Sequence, residues 1–212
     1  MISIEVYKKN PCGALSIPYW KAKNLTVPAD MKIVHGGDFD EKILEKYHDM
    51  RFFRLIHKLE NIPDFAAEGI QLDVIRPDKI GELADMINRS YAHSEMRVTA
   101  ALIGSLTETR VYCPELWIGA FSDGKLVGSI LCDLDTEVGE AVIEWLQVLP
   151  EYRGKGVASA LVCEALKKMR NRADFATVSG DCDNVTNPER VYRKCGFEGQ
   201  DVWHILNQKT EI

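Results

Sequence analysis

Val148-Leu-Pro-Glu-Tyr-Arg-Gly-Lys-Gly-Val-Ala158, running on as Ser159-Ala-Leu-Val-Cys-Glu-Ala-Leu166, is the stretch on which the reading of this chain turns. An apolar run from Ala141 to Val148 leads into it and reads as a buried strand. Pro150 closes that strand, because proline has no N–H for a ladder. Gly154 and Gly156 lack a Cβ, so the backbone turns tightly there and a ligand can come close. A helix follows at once. Val157, Leu161, Ala165 and Met169 recur every fourth residue, and Glu164, Lys167, Lys168 and Arg170 fall on the other face. The free N–H groups of the first helical turn, with the helix dipole behind them, suit a phosphate group.

Two common phosphate loops do not fit. A dinucleotide fingerprint needs a third glycine where Ser159 stands, and a P-loop needs its lysine after the second glycine, whereas Lys155 precedes it. The spacing that fits is R-x-x-G-x-A, made by Arg153, Gly156 and Ala158. It resembles motif A, the acyl-CoA pyrophosphate loop of the GNAT superfamily of N-acetyltransferases. The resemblance implies a cofactor site formed by Arg153, Gly154, Lys155, Gly156, Val157, Ala158 and Ser159. It also implies an oxyanion donor, a backbone N–H near Gln147 or Val148 on the preceding strand.

Working outward, Thr186-Asn-Pro-Glu-Arg-Val-Tyr-Arg-Lys-Cys-Gly-Phe197 reads as a short helix. Asn187 is placed to cap it, Pro188 suits its first position, Glu189 its first turn, and Gly196 stops it. This segment resembles the family's second cofactor-contacting helix. In the family an asparagine touches the pantetheine arm and a tyrosine lies by the thioester sulfur. Here those are Asn187 and Tyr192. The spacing from Asn187 to Tyr192 is shorter than the usual one and Asn184 is slightly too far, and either a cap or a cofactor contact suits Asn187. Tyr192 is either the proton donor to the leaving thiolate or a packed aromatic.

Acyl transfer to an amine also needs a base, since an alkylamine arrives as ammonium with a pKa of about 10. Glu144 alternates with Val142, Leu146 and Val148, so it is a carboxylate in an apolar series, where burial would raise its pKa. Glu140 reads as the exposed start of the same strand. Glu144 is the candidate base; an internal ion pair or a β-bulge turning it to solvent are the other readings. His93 and His204 are the alternative bases.

The motif-bearing part runs over residues 70–212. Its expected order is a strand from Ile70, helices at Pro77 to Tyr91 and Thr99 to Thr107, and strands Leu116 to Phe121 and Lys125 to Cys132 around Asp123-Gly124. The strand, glycine turn and helix come next, then a strand at Phe175 to Gly180, a short helix and a last strand. That order resembles the GNAT chain. It implies an α/β fold with a mixed, mostly antiparallel central sheet flanked by helices. Residues 1–69 stand apart as an N-terminal extension, expected to help shape the acceptor site. Within it Ile2 to Tyr7 alternates like a strand and Asp38 to Asn61 carries a helical apolar set. Tyr19 and Trp20 are either pocket aromatics or packing.

Composition bounds the rest. The 212 residues are 46% hydrophobic and 27% charged, with a net charge of −6, ordinary for a soluble globular chain. The acidic balance argues against a nucleic-acid footprint. The six cysteines show no C-x-x-C pair and no metal spacing, so neither metal nor disulfide is expected and the compartment reads as cytoplasmic. No run of the length a membrane span needs is present. The sequence thus points to a CoA-dependent N-acetyltransferase using acetyl-CoA as co-substrate. Its acceptor is a small-molecule or protein amine, and a homodimer is a further expectation. An acyl-CoA-sensing module without turnover would keep the glycine turn but would not need Glu144 or Tyr192. A nucleotide-binding enzyme is the other rival.

Overall fold

The computed structural model describes residues 2–92 and 97–209. Three short helices come first, α1 (Ile4–Lys9), α2 (Pro11–Ala14) and α3 (Tyr19–Ala22), then strands β1 (Met31–His35), β2 (Tyr47–His57) and β3 (Gln71–Val74). Helices α4 (Ile80–Ser90) and α5 (Ala100–Leu106) lead to β4 (Tyr112–Ser122), β5 (Lys125–Asp135) and β6 (Glu140–Val148). The chain ends with α6 (Val157–Met169), β7 (Phe175–Asp181), α7 (Pro188–Lys194) and β8 (Glu198–Gln208). The motif-bearing part, residues 70–212, follows the order its sequence predicts. The Asp123-Gly124 turn has φ of 48° and 73°, as a type I′ hairpin requires.

All eight strands join one sheet in the order β1-β8-β2-β7-β6-β5-β4-β3, with β6 and β7 its parallel pair. The extension is therefore woven into the sheet, because β2 lies between β7 and β8 and pairs with both. Two expectations are corrected here. Ile2 to Tyr7 forms not a strand but most of α1, capped by Ser3 and ending on Lys8 and Lys9. Asp38 to Asn61 is not a helix: it begins at the end of a 3-10 turn (Gly36–Asp38) and holds a second (Glu41–Glu45) and then the eleven residues of β2. Phe53 and Leu55 of β2 are buried among the core residues, and the Phe53 ring closes over Gly180 of β7.

Two layers cover the sheet. A Cβ on Gly128 would meet Leu161, so that face of β5 carries α6, whose Leu161, Val162, Ala165, Leu166 and Met169 are fully or almost fully buried. The opposite face of β5 presents Leu131 and Asp133, one residue out of phase, toward Leu102 and Leu106 of α5 and toward α3. The N-terminal helices cover that same face further along. There Glu140 of β6, fully buried, accepts from Tyr7 at 2.8 Å, Thr177 at 2.6 Å and Arg54 at 3.2 Å. Glu140 is thus not the exposed start of its strand, since partners remote in sequence close over it.

Candidate active site

The parallel pairing of β6 with β7 runs from Glu140–Phe175 to Ile143–Val178 and stops, although both strands continue. Beyond that point the two strands part and leave a slot in the sheet. A β-bulge sets the parting: Leu131 faces Trp145 and Cys132 faces Ile143, so Glu144 is the extra residue in β6. Further along, the Leu149 N–H donates to the Val127 carbonyl at 2.9 Å. By two-residue alternation Gln147 also turns its backbone groups to β5, while those of Leu146 and Val148 face the slot. The Val148 carbonyl is taken by Arg153 Nε at 3.1 Å, and Arg153 Nη2 reaches the Ser90 carbonyl at 2.8 Å.

At the mouth of the slot lies the glycine turn. Gly154 and Gly156 have φ of 75° and 83°, values an L side chain adopts only with strain. A Cβ on Gly154 would meet nothing within 4 Å, and one on Gly156 only the Ala66 carbonyl at 3.8 Å. Gly156 caps α6 without any side-chain hydrogen bond. The N–H groups of Val157, Ala158 and Ser159 thus have no intrahelical acceptor and present a bare anion cradle. Lys155 lies over the Tyr152 ring, 5.1 Å from its centroid.

Tyr192 stands in α7 with its ring 6.2 Å from Phe53 and 5.7 Å from Phe197, almost fully buried. Burial pushes its phenol well above the ordinary tyrosine value, and the nearby Tyr91, Cys132 and Cys195 push the same way. It therefore keeps its proton throughout the neutral range. Asn187 is exposed, left-handed at φ 47°, and its side chain does not cap α7. Asn184 instead holds the loop, accepting from Thr186 N at 2.9 Å and Thr186 Oγ1 at 2.7 Å. Gln147 turns its side chain to Ser129, with its Oε1 buried and unpartnered.

The bulge alters the setting expected for Glu144. Leu146 and Val148 pair with Ile130 and Gly128 on the α6 face, whereas Glu144 and Trp145 both reach a cavity on the α5 face. This cavity holds about 130 Å³. That is well below the roughly 300–1,000 Å³ that encloses a drug-sized ligand, so it admits the end of a molecule. Trp20 and Lys21 of α3 form one wall, Trp117 and Leu131 another. Lys21 Nζ donates to Glu144 Oε2 at 2.5 Å, while Glu144 Oε1 is buried without a nitrogen donor. The carboxyl pushed upward is that of Asp133, raised from 3.8 to about 7 by burial first and by the adjacent Glu144 second, against the pull of Lys21.

Asp133 is the site residue that sequence reading misses. It stands beyond the predicted end of its strand, and only the bulge brings Glu144 to it. Trp117 and Trp145 are missed likewise, while Trp20 proves to line the cavity and Tyr19 to pack on Tyr7. Of the alternative bases, His204 is held by Asp49 at 2.8 Å and stacked under Phe39 at 3.7 Å; His93 lies outside the described residues.

Comparison with known proteins gives one consistent picture. The family model for the acetyltransferase (GNAT) family matches residues 82–197. An acetyltransferase of Sodalis glossinidius is 35% identical over 99 residues, 45% of this chain and 66% of that protein. An N-alpha-acetyltransferase of Arabidopsis thaliana is 35% identical over 83 residues, 38% of this chain and 40% of that one. The match thus spans about two fifths to two thirds of these relatives. Among solved structures, a GCN5-related N-acetyltransferase from Sphaerobacter thermophilus superposes with a TM-score of 0.70 at 20% identity. The superposition covers 91% of this chain and 65% of that one, and at this identity it speaks for the fold.

Proposed function

The chain belongs to the acetyltransferase (GNAT) family, and on that premise we propose that it transfers an acetyl group from acetyl-CoA to a primary amine by direct attack on the thioester. The observation that carries this reading is the slot between β6 and β7 opening beside an uncapped helix N-terminus with a bare glycine turn. The turn and the N–H groups of Val157, Ala158 and Ser159 would hold the pyrophosphate, with Arg153, Gly154, Lys155 and Gly156 around it. The pantetheine arm would lie along the slot, with Asn187 at its rim. Acetyl-CoA is the co-substrate and supplies the thioester.

Each remaining step falls to a residue of this chain. Glu144 takes the proton of the incoming ammonium, directly or through a water. The Val148 N–H, whose own carbonyl is occupied by Arg153, is the donor on the slot side for the developing oxyanion. Gln147 supports this strand through its side chain rather than through a slot-facing N–H. Tyr192, held protonated by burial, gives its proton to the leaving thiolate. No side chain is acylated, so no nucleophile is needed. Residues 1–69 contribute the acceptor side through Trp20 and Lys21.

Calorimetric titration of acetyl-CoA into wild type and Gly156→Asp tests the cradle. Aspartate adds a side chain and a negative charge where open space now lies, so binding is lost; the left-handed φ of 83° also costs any side chain about 1–2 kcal/mol, so the melting temperature falls by a few degrees while the fold is kept. Unchanged affinity in that variant overturns the assignment. For the acid role, Tyr192→Phe lowers kcat about 10²-fold with acetyl-CoA affinity retained. Wild-type turnover by that variant, followed by thiol release, leaves Tyr192 as packing alone.

A further inference from the structure

We propose that the cavity between α3, α5 and the bulge of β6 is the seat of the acceptor's reactive ammonium, that it takes a primary alkylammonium at the end of a flexible methylene chain, and that Lys21 occupies this seat until such an amine displaces it. This rests on the acyl-transfer reading above and names its acceptor class. The chain itself displays the ligand chemistry: a four-carbon stem with an ammonium head, ending 2.5 Å from the Glu144 carboxylate. Its Nζ also lies 5.3 Å from the centroid of the Trp20 ring, the arrangement that attracts a cation to an indole face. Trp117 and Trp145 add two further indoles, so the walls suit methylene groups and the floor suits a cation.

The seat is built beyond what Lys21 needs. Two carboxyls, Asp133 and Glu144, meet one lysine there, and Asp133, held in a buried setting first and beside Glu144 second, keeps its proton up to about 7. Glu144 Oε1 meets no nitrogen donor; besides Lys21, the Asp133 carboxyl is the group that hydrogen-bonds to Glu144. Trp117 is 3% exposed, lines the cavity, and its Nε1 has no partner. A lysine serving only as a structural counter-ion leaves no room beside itself, whereas here a cavity of about 130 Å³ remains. Lys21 is also poorly anchored: its side chain is 35% exposed and α3 has four residues. An ion pair so placed is weak and exchangeable.

The test is direct binding, read by calorimetry and by tryptophan fluorescence, since three of the chain's four tryptophans line the cavity. The probes are 1,5-diaminopentane, Nα-acetyl-lysine amide and, as the uncharged control, 1-pentanol. Both amines should bind to wild type and pentanol should not. Binding of the diamine alone assigns the seat to free alkylamines, and binding of both includes lysine side chains of peptides. Lys21→Met keeps the bulk and removes the competing ammonium, so amine affinity should rise about fivefold. Glu144→Gln should weaken amine binding about tenfold at neutral pH, Asp133 remaining in the seat, and leave acetyl-CoA binding intact. Equal amine affinity in wild type and Lys21→Met, or lower affinity in that variant with an unchanged melting temperature, overturns the proposal; Lys21→Ala repeats the measurement should Lys21→Met melt early. Acetyl-CoA titrated separately into each protein keeps the two readings distinct, because its failure to bind wild type sinks the acyl-transfer reading alone.

Discussion

Glu140 and Glu144 stand on the same strand, each facing a cation brought from the N-terminal third of the chain, yet their surroundings are opposite. Glu140 and Arg54 are fully or almost fully buried. The Glu140 carboxylate accepts from two hydroxyls, a guanidinium and the Tyr19 N–H at 3.4 Å. Burial nonetheless pushes that carboxyl up, with Arg54 pulling the other way. Glu144 meets a lysine in place of an arginine, keeps one oxygen without a nitrogen donor and borders open space. A buried charge left single is severely penalised, so the first site has every bond it needs and joins α1 to the sheet. The second is left incomplete, which is what a group that must exchange partners and protons requires. The bulge at Glu144 separates the two: before it β6 is paired on both sides, after it on one.

That contrast is open to attack from both ends. The largest effect is expected at Glu144→Gln, which keeps size and removes basicity. Turnover at neutral pH should drop about 10²–10⁴-fold, with much of it restored at high pH, where free amine needs no base. Its unfolding free energy should move by less than about 1 kcal/mol, as for other partly exposed pairs. A loss of kcat at saturating amine that is equal at every pH would show that Glu144 seats the ammonium without taking its proton. Arg54→Met should do the reverse. It strands the buried Glu140 carboxylate and lowers stability by about 3–5 kcal/mol in denaturant unfolding, while the protein that remains folded binds acetyl-CoA as before. Should Glu144→Gln unfold the protein and Arg54→Met leave it stable, the assignment of roles would have to be exchanged.

The smallest effect sharpens the contrast. Asp133 has its proton affinity raised from 3.8 to about 7 beside Glu144, with Lys21 opposing. Between those values the native state holds a proton that the unfolded chain has released. Stability therefore declines as pH rises from about 4 to about 7 and is flat in this respect outside that window. Melting temperatures taken across that range should show the decline in wild type and a shallower one in Asp133→Asn. Parallel curves would mean that Asp133 is not the titrating member of the pair.

Much of this was legible from local signals. The strand, glycine turn and helix from Glu140 to Met169 carry their own punctuation, and the hairpin at Asp123-Gly124 and the start at Pro188 do likewise. Strand β2 gave no such signal. It is covered on both sides in its second half, so period-two alternation is absent, and its partners lie more than a hundred residues further on. Spacing such as Ile43, Leu44 and Tyr47 then imitates a helix. The burial of Glu140 was hidden for the same reason, since Tyr7 and Arg54 reach it only through the sheet. The Asp133–Glu144 meeting depends on one extra residue in a strand, and a bulge has no compositional mark.

The seating of β2 between β7 and β8 also has a consequence during synthesis. Residues 47–57 leave the ribosome early, but their two partners begin at Phe175 and Glu198. At about 5–20 residues per second, residue 57 waits roughly 6–24 s before Phe175 is even made. Throughout that interval a strand carrying Phe52, Phe53, Leu55 and Ile56, with both edges unpaired, stands ready to join another nascent chain. Crowded expression should therefore favour aggregates seeded by this segment, and slower initiation or a holding chaperone should raise the soluble yield.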